Sequence, residues 1–320
     1  MINLAELGIY KVRLPLPFKL DHVNCYAIRG GQGWCIVDAG LNYGPAREAW
    51  LDFMKSQGIK PGDVTGIYLT HYHPDHYGAA GWLQELTGAP VYMSSLDAAM
   101  VTKVWMRSRQ DREVIGSMFR ENGVPAELTE LIMAGLDEML ALVRPHPRLT
   151  VVDDGQEVGL GDYRWQVVLT PGHSDGHICF YLEGHGLLLS GDHLLPGISS
   201  NISLWPYAHP DPLDNFLTSL EKSAGLNIQM ALPAHGECFS NVRERVGELQ
   251  LHHRERLQLV KRVAAGGATA YQVCRKVFGD RLSLHEIRFA MTETLAHLVY
   301  LKKRGELQVR KSGDVYIYAA

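Results

Sequence analysis

Cysteine is scarce in this chain and shows no pairing pattern. The five cysteines (Cys25, Cys35, Cys179, Cys238, Cys274) have no CxxC spacing and are odd in number. That excludes a disulfide framework and leads to the expectation of a reducing compartment, by default the cytoplasm. Long apolar runs are missing as well. No stretch approaches the roughly 20 residues that a membrane-spanning helix needs, so no membrane association is expected. The segment Met1 to Phe18 lacks a basic start followed by an apolar run, so no secretory signal is expected. Low-complexity tracts and close internal repeats are absent too. What is left has the balance of an ordinary globular protein, 46% apolar and 21% charged residues. Its 320 residues suffice for one large domain and a small one.

Histidine, by contrast, is plentiful, with 15 residues. Neutral imidazole is the commonest metal ligand, so clustering of these residues is informative. Charge is also uneven. From His252 onward there are 13 Lys and Arg against 6 Asp and Glu, leaving 18 against 29 in the part before it. A split of this size marks a domain boundary or a partner. The expected division is residues 1–240 and 241–320, with a helical insert at about 96–146 in the first part.

Strand-like and helical segments alternate through the first third. His22–Arg29 and Trp34–Asp38 flank a glycine-rich turn and predict a hairpin. Pro45–Gln57 carries apolar residues at helical spacing and stops at Gly58. Val64–Leu69 predicts a short strand, Ala79–Leu86 a helix and Pro90–Met93 another strand, the alternation of an α/β fold. Between Leu96 and Val143 the period becomes helical, and two or three inserted helices are expected, as a layer over the sheet or as a lid over a site. Strands return over Thr150–Val152, Arg164–Leu169, Ile178–Leu182 and Leu187–Leu189. Arg243–Ala264, Thr269–Phe278 and Ser283–Lys303 then read as helices, and Glu306–Tyr318 as a hairpin around Ser312-Gly313-Asp314. Three helices and a hairpin are the order of a winged helix.

The chemistry concentrates in Thr70-His71-Tyr72-His73-Pro74-Asp75-His76. Four metal-capable side chains fall within six residues after a predicted strand. In extended backbone His71 and His73 project to one side, while Asp75 and His76 follow where the chain turns towards a helix. Imidazole with carboxylate and no thiolate suits catalytic rather than structural zinc. Three later segments each place a ligand type directly after an apolar strand: His173 in Thr170-Pro171-Gly172-His173, Asp192 in Ser190-Gly191-Asp192, and His235 in Pro233-Ala234-His235. Strand-to-loop junctions of this kind can converge on one rim of a sheet.

This order, HxHxDH followed by His, Asp and His, resembles the metallo-β-lactamase superfamily over roughly residues 5–240. The resemblance implies a four-layer αβ/βα sandwich with two metal ions at one edge of its sheets. It implies His71, His73 and His173 as ligands of the first ion, Asp75, His76 and His235 as ligands of the second, and Asp192 as the bridge. Asp38, in Ile36-Val37-Asp38-Ala39-Gly40, matches a family aspartate that supports the ligand loop. Zinc is the expected metal, with iron or manganese compatible. Two ions about 3.5–4 Å apart can share a hydroxide and lower its pKa towards neutrality. Asp75 and Asp192 are the expected catalytic carboxylates, Asp75 holding the hydroxide and passing a proton to the leaving group. His177 is expected to order its loop, since metal-bound histidines rest on supporting contacts. His193, Asn201, Trp205 and Tyr207 follow the bridging position and are expected to line the substrate pocket. Histidines elsewhere, His285 included, are expected to be ordinary core or surface residues.

Two functions fit this pattern. One is hydrolysis of a small-molecule thioester, ester or lactone, similar to the glyoxalase II and lactone-hydrolysing branches. The basic C-terminal module would then hold an acidic carrier such as a CoA phosphate, shape the pocket, or pair subunits as a homodimer. The other is a metal-dependent ribonuclease whose winged helix grips RNA. The helix carrying Glu286, Arg288 and Glu293 is expected to expose a face of mixed charge, which disfavours nucleic acid. With Asp192 rather than cysteine at the bridging position, β-lactams are not the expected substrate.

Overall fold

Alternation sorts the strand residues onto two faces, both buried except where Lys11 and Arg13 leave one face of the edge strand exposed. In β1 (Ile9–Pro15) and β2 (His22–Gly30), Val12, Val23, Cys25 and Ala27 face a helical layer, while Ile9, Tyr26 and Ile28 face a second sheet. The period of two requires this, because successive Cβ atoms point to opposite sides. These strands belong to a six-stranded sheet in the order β1, β2, β3 (Gly33–Val37), β4 (Val64–Tyr68), β5 (Val91–Met93), β6 (Leu149–Val151). Its first three strands are antiparallel and the rest parallel. The second sheet is built from β7 (Glu157–Leu160), β8 (Tyr163–Leu169), β9 (Ile178–Leu182), β10 (Leu187–Gly191) and β11 (Met230–Pro233), in that spatial order. Within it Ile178, Phe180 and Leu182 turn to the first sheet, and Cys179 and Tyr181 turn away to helices. The structure, a computed structural model, describes residues 2–320.

Helices cover both outer faces. α1 (Gly44–Gln57) buries Ala46, Trp50 and Met54 at intervals of four, one stripe of the helix, and the Trp50 indole donates to the Ala39 carbonyl at 2.8 Å. It ends at Gly58, which takes the left-handed φ of 67° that terminates a helix without steric cost. The short α2 (Pro74–Tyr77) and α3 (Ala80–Thr87) complete that side. On the second sheet lie α7 (Pro212–Gly225) and the start of α8 (Val242–Ala264), through Leu213, Phe216, Leu220 and Val246. Burying one such Phe or Leu side chain contributes about 1.5–3 kcal/mol. The result is a layered helix–sheet–sheet–helix arrangement.

The insert forms three helices: α4 (Ser95–Val104), α5 (Arg109–Glu121) and α6 (Ala126–Met139). They do not act as one layer. Met100, Val101 and Met139 pack on the first sheet. Ile115, Phe119, Ile132, Met133 and Leu136 instead join a separate core with α8, α9 (Ala270–Phe278), α10 (Leu284–Lys303) and the hairpin β12 (Gln308–Ser312)–β13 (Val315–Ala319). The face of α10 expected to be exposed is packed: the Glu293 side chain is 14% exposed, and the carbonyl of neighbouring Thr292 accepts the Leu204 N–H at 3.0 Å. The apolar stripe identifies only one buried side, and α10 is enclosed on more than one.

Among the strands and the longer helices, β1, β7 and α7 escape the sequence reading. β1 interleaves Lys11 and Arg13 with its apolar residues, β7 has four residues including a glycine, and α7 starts at a proline that reads as a turn. All five cysteines are free. Among the described residues no helix is long and apolar enough to cross a membrane.

Candidate metal centre

Strand direction explains why distant segments meet. β10 runs parallel to β11 and antiparallel to β9, which is itself antiparallel to β8. The ends of β8, β10 and β11 therefore share one edge, and carry His173, Asp192 and His235 on the loops that follow. β3 and β4 are parallel too, and deliver Asp38 and the His71–His76 loop to the facing edge of the other sheet.

All seven metal-capable residues come together there. Ligand-capable atoms lie within 4.8 Å of one another in three groups: His71, His73 and His173; Asp75, His76 and His235; and His71, His76 and Asp192. The Asp192 carboxylate faces both sides of the cluster. One oxygen is 3.3 Å from His173 Nε2, and the other lies 3.5 Å from His76 Nε2 and 3.3 Å from His235 Nε2.

The donor set fits a cation better than it fits itself. Thr70 gives its hydroxyl proton to Asp38, so it accepts from His71 Nδ1 at 3.0 Å and leaves His71 Nε2 as a lone pair. His173 Nδ1 donates to the Asn201 carbonyl at 2.8 Å, which leaves His173 Nε2 as a second lone pair, 3.2 Å from the first. His73 Nδ1 sits 3.0 Å from one and 2.8 Å from the other. A single ring proton cannot satisfy three nitrogens. His76 Nε2 and Asp192 Oδ1, both buried, have no hydrogen-bond partner among the described residues. Buried polar atoms left in that state cost free energy unless something binds them.

Electrostatics keep His71, His73, Asp75 and Asp192 in ligand form. At His76 and His235 burial is instead outweighed by nearby carboxylates, Asp192 and Asp75 at both and Asp38 at His76. These raise both above the usual histidine range, so the two would give up a proton to a cation. Burial, aided by neighbouring imidazoles, holds His71 and His73 well below the usual histidine range and hence neutral. Burial pushes the Asp75 carboxyl up, but His76 and His235 outweigh it and bring it to about 2. Burial also opposes ionisation of Asp192, and His235 and His76 again prevail and hold it low.

A ring of buried contacts fixes the cluster. Asp38 adopts a left-handed φ of 62°, a strained conformation for a residue with a side chain. From there its carboxylate accepts from Thr70 N at 2.8 Å and from His76 Nδ1 at 2.8 Å. His177 uses both ring nitrogens on the protein, Nδ1 with the Thr170 hydroxyl at 2.8 Å and Nε2 accepting Asp192 N–H at 3.1 Å, so it joins two ligand loops. Asp97, which the sequence reading does not single out, accepts from Tyr72 N, Ser174 Oγ and Gly176 N at 3.0, 2.7 and 2.7 Å. It ties the His71–His73 loop to the His173 loop. Gly172 takes a φ of 139°, and a Cβ there would sit 2.5 Å from Phe216 Cα, so only glycine brings His173 this close to α7.

A cavity of about 420 Å³ opens from the cluster. Asn201 and Trp205 line it, as expected, together with Trp105 and Leu136 of the insert segment. Two expectations fail. His193 is fully buried on the other side of its loop, hydrogen-bonded to Ser223 at 2.8 Å and packed on Phe216. Tyr207 is 44% exposed and donates to Asp111 outside the cavity. Conversely, His285, Arg288 and Phe289 of α10 do line it, although no local motif marks them. Asn201 also links the units, since its amide donates to Glu293 at 2.9 Å while its carbonyl holds His173.

Comparison with known proteins agrees with this architecture. A family model described as "Metallo-beta-lactamase superfamily" matches residues 19–235, and one described as "Metallo-beta-lactamase-like, C-terminal domain" matches 257–320. A metallo-beta-lactamase family protein from Thermus thermophilus has a similar structure, with a TM-score of 0.89 at 34% identity over 98% of both chains. The probable metallo-hydrolase YqjP of Bacillus subtilis is 26% identical over 302 residues, 92% of each chain. The acyl-coenzyme A thioesterase MBLAC2 of Gallus gallus is 25% identical over 250 residues, 72% of this chain and 79% of its own length. The match across most of the chain, together with full-length likeness to a solved member, makes this protein a metal-dependent hydrolase of the metallo-beta-lactamase superfamily.

Proposed function

We propose that this protein is a dinuclear metal-dependent hydrolase that cleaves small-molecule thioesters, esters or lactones. The observation that carries this reading is the cavity, mostly apolar and of a size for one small substrate, with the His and Asp cluster at one end. His71, His73 and His173 would hold one ion, Asp75, His76 and His235 the other, and Asp192 both. When bound, a pair of divalent cations, with zinc the best match to these donors, supplies a water activated near neutral pH and positive charge for a developing oxyanion.

The remaining work falls to the chain. Asp75 takes the proton of the attacking water on a carboxylate oxygen and returns it to the leaving group. Asp38 and His177 hold ring orientations and loops, so that the donors need not reorganise. Trp105, Leu136 and Trp205 exclude solvent from the acyl end.

The C-terminal helices and hairpin, read as a winged helix, serve here as a cavity wall. Their positive charge is partly neutralised against the catalytic part: Arg304 pairs with Asp214 at 2.5 Å and approaches Asp211 at 3.7 Å, with Lys303 3.8 Å from Asp211. That use of the charge split disfavours RNA as partner. The thioesterase name of the Gallus gallus relative points the same way.

Metal-loaded protein assayed against acyl thioesters, esters, lactones and an RNA oligonucleotide tests the proposal. Acyl turnover abolished by a chelator is expected. RNA cleavage with no acyl turnover overturns it.

A further inference from the structure

Helix α10 brings to the cavity wall a cation that, among the described residues, is paired with no carboxylate. Arg288 lines the cavity, its guanidinium 4.3 Å from the centroid of the Phe289 ring and 3.5 Å from His285 Nδ1. His285 is itself stacked on Phe18, 4.9 Å away with 10° between planes. Among the described residues Arg288 makes no ion pair. Asp75 acts on it only through space, and burial lowers its pKa to about 10, which leaves it cationic at neutral pH. The neighbouring cations are committed elsewhere: Arg107 pairs with Asp137, and Lys19 with Glu286. A half-buried charge without a counter-ion is unfavourable, and the cost falls when an anion arrives. A guanidinium placed over an aromatic ring can present its planar fork to a carboxylate or phosphate.

We infer that Arg288 is the substrate's anion anchor, and that the molecule hydrolysed is an amphipathic acyl compound bearing a carboxylate or phosphate. Its apolar arm lies among Phe18, Trp105, Ile115, Leu136 and Trp205, and its anionic group meets Arg288. The placement of its scissile carbonyl at the His and Asp cluster rests on the hydrolase reading above. Binding of the anion does not.

Two arms separate these claims. In the first, metal-loaded wild type, Arg288→Met and Arg288→Lys are titrated calorimetrically with decanoate, decyl phosphate and decanol. Wild type is expected to bind at least one anion on the order of 10- to 100-fold more tightly than decanol, as a charge-assisted contact allows. Arg288→Met should bind all three alike, and Arg288→Lys should recover part of the preference. The anion that gains more identifies carboxylate or phosphate recognition. An anion preference that persists in Arg288→Met places the anion elsewhere and overturns the inference, as does equal binding of all three by wild type. Should Arg288→Met melt early, Arg288→Gln carries the same comparison. In the second arm, matched alkyl esters with and without a terminal carboxylate are hydrolysed. The ratio of their kcat/KM values should exceed tenfold in wild type, mainly through KM, and collapse towards one in the variant. Anion discrimination in binding without turnover of either ester sinks the hydrolase reading and leaves the anchor standing. Turnover of both esters without discrimination does the reverse.

Discussion

His71, His76 and His173 each commit one ring nitrogen to the protein and turn the other towards the cluster. Their supports are themselves supported. Asp97 carries three hydrogen bonds from two loops while fully buried, and Asp97→Asn sets an amide NH₂ against N–H and O–H donors. That variant is expected to lose about 2 kcal/mol of stability, the cost of buried donors left without an acceptor. It should also bind metal on the order of tenfold more weakly, as loss of a supporting shell does. Melting and metal titration check this, and an unchanged metal affinity would show Asp97 to be mere packing. At this scale the His71–His76 loop is legible in the sequence because its four donors fall within six residues. Asp97, His285 and Arg288 are not, because their partners arrive only by folding. His193 misleads for a related reason: adjacency to Asp192 says nothing about direction, and the turn after β10 sends the two side chains apart.

Helices and strands are easiest to read where one face is buried and the other wet. α1 declares itself by its stripe and its glycine stop, whereas β1, β7 and α7 hide behind interleaved charge, brevity and a leading proline. The junction of α8 with α10 holds a buried histidine pair, His253 Nδ1 and His297 Nε2 3.3 Å apart. His297 Nδ1 donates to the Glu293 carbonyl, and Ser199 and the Phe216 ring contact His253. Burial, with each other's proximity and Arg256, depresses His253 to about 2, and burial depresses His297 to about 4 despite its bond to Glu293. The unfolded chain titrates near 6.5, so below that pH it binds protons the folded protein refuses, and stability falls as pH falls towards 4. Between pH 7 and pH 5 a single such histidine accounts for about 2 kcal/mol. Urea unfolding at the two pH values should show that loss in wild type and a shallower dependence in His297→Gln. Equal slopes would mean that the pair does not govern the acid response.

Across the whole molecule, the catalytic edge needs both sheets, the insert and the C-terminal helices. The layered α/β order is legible because alternation and helical period alternate along the chain. The cavity is not, because its wall is shared between Trp105, Trp205 and Arg288, far apart in sequence. The charge split likewise marks two parts, and its use becomes visible only where Arg304 meets Asp211 and Asp214. The proposed function depends on one property of the assembled fold, a nest of lone pairs and carboxylates about Asp192 that could hold metal ions, two in the proposed reading. Elemental analysis of purified wild type and Asp192→Ala, paired with turnover, measures it directly. The expected result is two divalent ions per wild-type chain, and clearly fewer in the variant with activity abolished. A wild-type chain with one ion or none, or an Asp192→Ala chain that retains both, would contradict it.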